Sequence, residues 1–374
     1  MTRQYILSFV NALDKEKISL RIEGNKVEVG ALDAPLQKVF ADAFYIAGNR
    51  LRNYIERKGM AEEETDEDGK GKKKGERKPR MDIPASGNEK EILVKVKRDL
   101  KLPQDASFVD VFHQLGEYLE GTGDDEFQSL VNGKKIHSPL SIFKPELYQF
   151  TRGPYFDGKL KSEEVSGDEA KLSTWEFLIR LAGYAISRVG IIMIPSGNKP
   201  LYLTVLALPT DVNYSRSSFE QMLSSMREFP GFRPEEGMMM WMAVNLPEYL
   251  DELLVVGMKN PGGTAPAEIR IGFNVPLSSY RTRASEFLSR VKKNEKQKSL
   301  EWMIRTAMWE KEADTERELL KLMFMASQGD RKSKEELMLR SSRLLLSASE
   351  PGNKDAERLI DYCRNLAYTI PLLP

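Results

Sequence analysis

The sequence predicts a mixed α/β N-terminal region with a charged loop insertion, followed by an all-α C-terminal helical bundle. Three observations predict this fold class. Strand and helix patterns alternate up to residue 275, strand patterns are absent from residue 276 onward, and residues 62–80 contain no apolar side chain. We therefore expect two domains, residues 1–275 and 276–374, with a charged flexible insertion at residues 60–90.

The overall charge of the chain is balanced. It has 374 residues, with 56 basic and 56 acidic side chains, so nucleic acid would have to bind through local basic patches. A single cysteine, Cys363, excludes an internal disulfide framework and a multi-cysteine zinc site. It predicts a cytoplasmic location. No apolar run suits a signal peptide or a membrane span, and the many charged residues favour a thermophilic source.

The N-terminal elements are predicted from periodicity and turn residues. Residues 18–31 alternate around Gly24-Asn25 and predict a β-hairpin. A helix follows Pro35 and is expected to end at Gly59. Further along, the sequence predicts a strand at Ile92–Val96, a helix at Phe108–Leu119 and a turn at Asn132–Lys135.

The middle of the chain combines a loop-rich aromatic block with a strong helix and strands. Residues 139–167 form the block, and Ser173–Glu176 matches the capping box that opens the helix. Gly190–Ile194 and Leu201–Leu208 are nearly continuous apolar runs, which predict two central strands buried on both faces. A further strand is expected at Glu268–Val275. Four amphipathic helical segments then follow, at residues 277–292, 300–326, 332–347 and 354–368.

Common catalytic motifs are missing. Neither Gly133-Lys134 nor Gly158-Lys159 is followed by the Ser or Thr of a P-loop. His113 and His137 have no zinc-binding spacing, and no serine nucleophile elbow is present. We therefore expect no catalytic residue, no metal ligand and no cofactor. Acids on distant segments keep a metal-dependent nuclease as an alternative.

Basic passages provide the candidate DNA-binding residues. A lysine-rich tract in the insertion can neutralise phosphates without reading sequence, and its members are Lys72, Lys73, Lys74, Arg77, Lys78 and Arg80. The turn with Asn132, Lys134 and Lys135 can enter a groove and offer an amide to a base edge. Arg152 lies beside aromatic residues that stack on bases. Each passage has a structural alternative: a disordered insertion for the lysine-rich tract, a plain surface turn at Asn132, and packing of the aromatic residues beside Arg152 under a loop.

Two features of the C-terminal half are also candidates. Arg290, Lys292 and Lys293 lie on a basic helical segment that either contacts phosphates or forms a solvated face. An unusual run of methionines suits an adaptable protein interface or a helical core. Its candidate interface residues are Met238, Met239, Met240 and Trp241.

The chain resembles the large subunit of archaeal type I-A CRISPR interference complexes (Cascade). The resemblance rests on residues 151–156 (TRGPYF), on the helix at residues 173–189, on the following strand pair and on the α/β-then-helical layout. It implies a non-enzymatic subunit that binds the 5′ handle of the guide RNA. It also implies reading of the protospacer-adjacent motif on double-stranded target DNA and docking of other Cascade subunits, a helicase and a nuclease. The alternatives are a structural scaffold without nucleic-acid contact and the metal-dependent nuclease.

Overall fold

A computed structural model describes most of the chain. The described residues are 2–23, 26–66, 103, 106–132, 135–137, 171–194, 201–259, 268–292, 297–309, 313–349 and 355–374. The chain divides into two compact units. The first comprises Met1–Ile194, Pro200–Ser224 and Leu254–Phe273, and the second comprises Pro195–Lys199, Ser225–Leu253 and Asn274–Pro374. The domain boundary at residue 275 stays a prediction.

The first unit is mixed, as the sequence predicts. Its helices and strands are α1 (Thr2–Asn11), β1 (Ile18–Glu23), β2 (Lys26–Ala31), α2 (Leu36–Asp66), α3 (Phe108–Gly121), α4 (Asp124–Val131), β3 (Lys135–His137), β4 (Lys171–Ser173), α5 (Thr174–Ser187), β5 (Arg188–Ile194), β6 (Leu201–Pro209), α6 (Arg216–Ser225), β7 (Glu252–Lys259) and β8 (Glu268–Pro276). The predicted hairpin is confirmed, because β1 and β2 pair antiparallel with Leu20 opposite Val29. The helices predicted near residues 108 and 174 are confirmed as well.

Helix α2 is longer than predicted. The prediction that it ends at Gly59 is wrong, because it continues to Asp66. A glycine inside a helix costs only about 1 kcal/mol relative to alanine, and the glutamates at residues 62–64 favour the helical conformation. The predicted insertion therefore begins in a helix. Its remainder and the predicted strand Ile92–Val96 lie outside the described residues.

Aromatic rings form the core of the first unit. The ring centroid of Phe44 lies 5.1 Å from that of Phe9 and 5.8 Å from that of Trp175. Phe40 and Phe127 approach the same tryptophan at 5.3 Å and 5.6 Å. Because buried aromatic side chains dominate core energetics, this cluster joins α1, α2, α4 and α5.

Two glycines allow helices of the first unit to approach closely. A Cβ atom at Gly183 of α5 would lie 1.8 Å from the backbone oxygen of Tyr5 in α1. A Cβ atom at Gly116 of α3 would lie 2.7 Å from the ring of Tyr45 in α2. The ring of Tyr45 would have to shift to accept a Cβ atom at Gly116. The backbone of Tyr5 cannot move aside in this way, so the close approach of α1 and α5 depends on glycine at position 183.

The main sheet has the order β5-β6-β7-β8. Strand β6 is interior, as predicted, and its residues 203–208 are buried. Among the described residues β5 pairs with β6 alone and lies at one edge of the described sheet, so its predicted central position is not confirmed. An apolar run reports buried side chains, such as Ile192, and not the number of neighbouring strands. Strand β7 lies between β6 and β8 and was not predicted.

The second unit is helical. It contains α7 (Glu235–Asn245), α8 (Leu277–Arg283), α9 (Ser285–Lys292), α10 (Gln297–Trp309), α11 (Asp314–Ser327), α12 (Arg331–Ala348) and α13 (Ala356–Thr369), with short 3₁₀ turns at Met226–Glu228 and Ile370–Leu372. The first two predicted segments are each divided into two helices, and Ala284 interrupts the first with φ −100° and ψ 18°. None of the described helices is both long and apolar enough to cross a membrane.

Arg281 is a structural residue of this unit. Its guanidinium donates hydrogen bonds to the backbone oxygens of Leu246 (2.8 Å), Leu250 (2.9 Å), Glu248 (3.1 Å) and Ala243 (3.4 Å). These oxygens lie at and beyond the end of α7, where carbonyl groups lack partners within the helix. Arg281 therefore holds the chain segment that follows α7 in place.

A buried ion pair joins α11 to α13. Glu316 has no exposed surface, and its Oε1 lies 2.6 Å from Nη1 of Arg358. The hydroxyl of Tyr362 donates to the backbone oxygen of Glu316 at 3.1 Å. Burial raises the pKa of Glu316, and the nearby Arg358 opposes this rise.

Candidate nucleic-acid interface

Asn132 lies at the C-terminal end of α4 and is exposed. Its backbone N–H donates to the oxygen of Gln128 at 3.0 Å, which ends the helix. Among the described residues its side-chain amide has no hydrogen-bond partner. Three acids in the first turn of α4, at residues 124–126, favour the helix because they lie at the positive end of its dipole. The structure thus presents the amide of Asn132 to solvent at a rigid helix end.

Strands β3 and β4 form a short antiparallel ladder, and β3 begins three residues after Asn132. Lys135 pairs with Ser173, and His137 pairs with Lys171. The chain therefore leaves this ladder at His137 and returns to it at Lys171. The segment between them carries Arg152, which itself lies outside the described residues. Antiparallel partners have Cα atoms about 5 Å apart, so the two ends of the segment meet at the His137–Lys171 end of the ladder, whereas Asn132 precedes its other end.

Other predicted DNA-binding residues also lie outside the described part of the chain. They are Lys72, Lys73, Lys74, Arg77, Lys78, Arg80, Lys134 and Lys293. Their assignment stays a prediction.

The structure gives Arg290 and Lys292 intramolecular partners. Nη1 of Arg290 donates to the backbone oxygens of Leu372 (3.2 Å) and Leu373 (3.4 Å), and Nη2 pairs with Glu286. Nζ of Lys292 lies 2.7 Å from Oε1 of Glu248. Both cations are therefore engaged by oxygen atoms of the chain itself, which makes them less available to a phosphate. Helical spacing predicts the pair with Glu286, which lies four residues before Arg290. It could not reveal Leu372, Leu373 or Glu248, because these residues are distant along the chain.

We expect Arg290→Ala to lower the free energy of unfolding by about 1 kcal/mol, because two carbonyl groups lose a charged donor. Urea denaturation measures this loss. The salt dependence of DNA binding should not change, since the guanidinium is already used within the chain. A flatter salt dependence for this variant would instead support the phosphate-contacting helix. Lys292→Ala, which breaks an exposed pair, is the control and should leave stability unchanged.

The methionine run lies in α7, and most of its side chains are buried. Met238, Met240 and Trp241 are each at most 2% exposed, so their side chains offer no surface to a partner in this conformation. Met239 is partly exposed and lines a cavity of about 440 Å³ in the second unit. The other lining residues are Pro276, Ser279, Tyr280, Arg283, Phe324, Met325, Gln328 and Asp330. Only Met239 of the predicted interface set is therefore partly accessible.

Residues with catalytic potential are dispersed. The ring of His113 packs edge-on against that of Tyr45, and its Nε2 lies 3.2 Å from Oδ1 of Asn49. Burial lowers its pKa, and Arg52 lowers it further. Cys363 is buried, and burial raises the pKa of its thiol. Within the described ranges no group of three or more His, Cys, Asp or Glu residues could hold a metal ion.

Helix α12 exposes large apolar residues that were not predicted from the sequence. They are Met338, Leu339, Leu345 and Leu346. Their seven-residue spacing is the signal that would have revealed them. We call the side of α12 that carries them the outer face.

A family model described as "CRISPR-associated protein, CsaX" matches residues 45–345. This range covers most of the chain. The chain belongs to the CsaX family of CRISPR-associated proteins. No curated protein and no solved structure matches it. Membership in the CsaX family supports a role in a CRISPR system and work with other components of a CRISPR complex.

Proposed function

We propose that this CsaX protein is the non-catalytic large subunit of a type I-A CRISPR interference complex. In this role it contacts the 5′ handle of the guide RNA and binds double-stranded target DNA near the protospacer-adjacent motif. It docks other subunits of the complex, together with the helicase and the nuclease, in antiviral defence. Family membership supports the CRISPR role, and the α/β-then-helical layout is in keeping with the large subunit.

One observation carries the DNA-reading part of the proposal. The exposed Asn132 and the β3–β4 ladder lie next to each other, and the segment bearing Arg152 begins and ends at that ladder. Their order along the chain supports the proposal that Asn132, Lys135 and the segment bearing Arg152 contribute to one site on the first unit. Asn can offer a donor and an acceptor to a base edge, whereas Lys and Arg bind phosphates or guanine. This combination suits a short base-reading contact supported by backbone contacts.

Separate substitutions should distinguish the two kinds of contact. In the complete reconstituted complex, Asn132→Ala is expected to cost about 1–3 kcal/mol on DNA that carries the motif and much less on DNA without it. Lys135→Ala should weaken binding to both DNAs and reduce the salt slope by about 1. Gel-shift titrations at several salt concentrations measure both effects. Replacing Arg152 by alanine tests the segment between the strands in the same assay.

Lys38→Ala is the matched control. Lys38 is an exposed lysine of the same unit, and it has no ion pair among the described residues. An equal change in salt slope for Lys38→Ala and Lys135→Ala would show a general charge effect and no site at the ladder. Full target binding by a complex that lacks the subunit would overturn the whole proposal. Neutralising residues 72–80 should flatten the salt slope regardless of DNA sequence.

The proposed role requires no chemistry from this chain. The purified protein should therefore leave DNA and RNA intact in magnesium or manganese. Metal-dependent cleavage that persists through purification would favour the nuclease alternative. The scaffold alternative would be favoured if other subunits slowed hydrogen exchange in this chain and nucleic acid did not.

A further inference from the structure

The outer face of α12 is apolar and exposed. Met338, Leu339, Leu345 and Leu346 are 50%, 46%, 44% and 73% exposed. Single exposed apolar residues are common on soluble proteins, but four large ones on one helix are not. Leu337 and Ala348, on the opposite side of the helix, are buried against the second unit. One side of α12 therefore packs against the rest of the second unit, and no described residue covers the other side.

The spacing of these residues matches a helix as the occupant. Met338 and Leu345 form one row, and Leu339 and Leu346 form a second, each with a separation of seven residues. Ser342 lies between the rows and leaves a shallow groove. Two apolar rows at heptad spacing with a small residue between them form the seam into which a second helix packs its side chains.

The charges beside the seam specify the chemistry of that helix. Arg331 and Lys332 each precede one row by seven residues, and Arg343 borders the second row. All three are exposed and have no ion pair with another described residue. The nearby Glu336 is already paired with Arg340 at 2.5 Å, as is Glu318 at 2.6 Å. The outer face thus offers cations without ion pairs among the described residues, mainly at the N-terminal end of α12. Two carboxylates lie near them, that of Glu335 and that of Asp330, and the latter accepts hydrogen bonds from the backbone N–H of Lys332 and the hydroxyl of Ser333 at the helix cap.

We propose that the outer face of α12 docks an amphipathic α-helix of another protein subunit. That helix carries aliphatic residues at heptad spacing and a cluster of carboxylates at the end that lies over Arg331 and Lys332. The proposal does not depend on DNA reading, because none of the proposed DNA-reading residues lies on α12. Its success or failure is therefore separable from that of the proposed function.

A defined peptide tests this inference with the full-length protein. The peptide has about 20 residues, long enough for a helix, with leucines in two heptad rows and glutamates clustered at one end. Fluorescence anisotropy should show binding that the double variant Leu339→Ala/Leu346→Ala weakens at least about tenfold. Arg331→Glu/Lys332→Glu should weaken this peptide and strengthen a version with lysines in place of the glutamates. Unchanged melting temperatures establish that the variants fold.

Two matched controls accompany the test. Leu32→Ala removes an equally exposed leucine, which is 61% exposed on the first unit, and should not alter peptide binding. Lys321→Glu reverses an exposed charge on the neighbouring α11 and should have no effect. Absence of peptide binding, or an equal loss with either control, would overturn the proposal. Two further results would overturn it. Loss of self-association by the leucine variants in sedimentation would show that a second copy of the chain occupies the outer face, and loss of nucleic-acid binding in gel shifts would show that a nucleic acid does.

Discussion

Gly183→Ala should lower the free energy of unfolding by about 3 kcal/mol, because the added methyl group has no space between α1 and α5. The ideal Cβ position lies 1.8 Å from the backbone oxygen of Tyr5 and 2.6 Å from its carbonyl carbon. A backbone cannot rotate aside as a side chain can, so α1 must move away from α5. That movement would loosen the contact between Tyr5 and Tyr184, whose rings meet edge-on at 5.5 Å. Urea denaturation followed by circular dichroism measures the loss.

Gly121→Ala is the matched control for this prediction. Gly121 is also helical, at the end of α3, and a Cβ atom there meets nothing within 4 Å. Alanine should stabilise this position by up to about 1 kcal/mol, because it favours the helix and restricts the unfolded chain. If both alanine variants moved the denaturation midpoint in the same direction, close packing at Gly183 would not be the cause.

Arg358→Ala should lower the free energy of unfolding by about 3–5 kcal/mol at pH 7, because it leaves the buried carboxylate of Glu316 without its partner. Arg358 is 19% exposed at its side chain and Glu316 only 1%, so water cannot replace the lost cation. Arg364→Ala on the same helix breaks the exposed pair with Asp361 and should cost less than about 1 kcal/mol. Similar losses for the two arginines would contradict a special role for the buried pair.

The same carboxylate predicts a pH dependence. The pKa of Glu316 is raised in the folded protein above its ordinary value of 4.5, chiefly by burial. The folded state therefore binds the proton more tightly than the unfolded state. The contribution of Glu316 to stability is largest below pH 4.5 and declines as the pH rises through the raised pKa. Glu316→Gln should remove this decline, and the deficit of Arg358→Ala should shrink on acidification. Denaturation midpoints measured across this pH range would reveal both effects.

Repeated local patterns in the sequence were sufficient to predict much of the fold. Alternation around a Gly-Asn turn predicts the β1–β2 hairpin, and the apolar periodicity after Pro35 predicts the start of α2, because each pattern is complete within a few residues. The end of α2 and the edge position of β5 could not be predicted. The first depends on a small balance of helix propensities, and the second depends on which distant strands pair.

The candidate site was predicted less completely. Asn132 was identified from its turn, but the approach of the two ends of the Arg152 segment follows from a pairing between residues far apart in sequence. Arg290 illustrates the opposite case. Its basic neighbourhood suggested phosphate contact, yet its guanidinium donates to the backbone oxygen of Leu372, 82 residues away. Composition shows that a cation is present, whereas only tertiary structure shows which oxygen atoms surround it.

The β3–β4 ladder brings the two ends of the segment between His137 and Lys171 together. Because both ends are fixed by one short antiparallel pairing, a two-residue hairpin turn can close the ladder in place of the whole segment. If the segment carries DNA-reading residues, as proposed, its replacement by such a turn should change the DNA preference of the complex while the ladder stays paired.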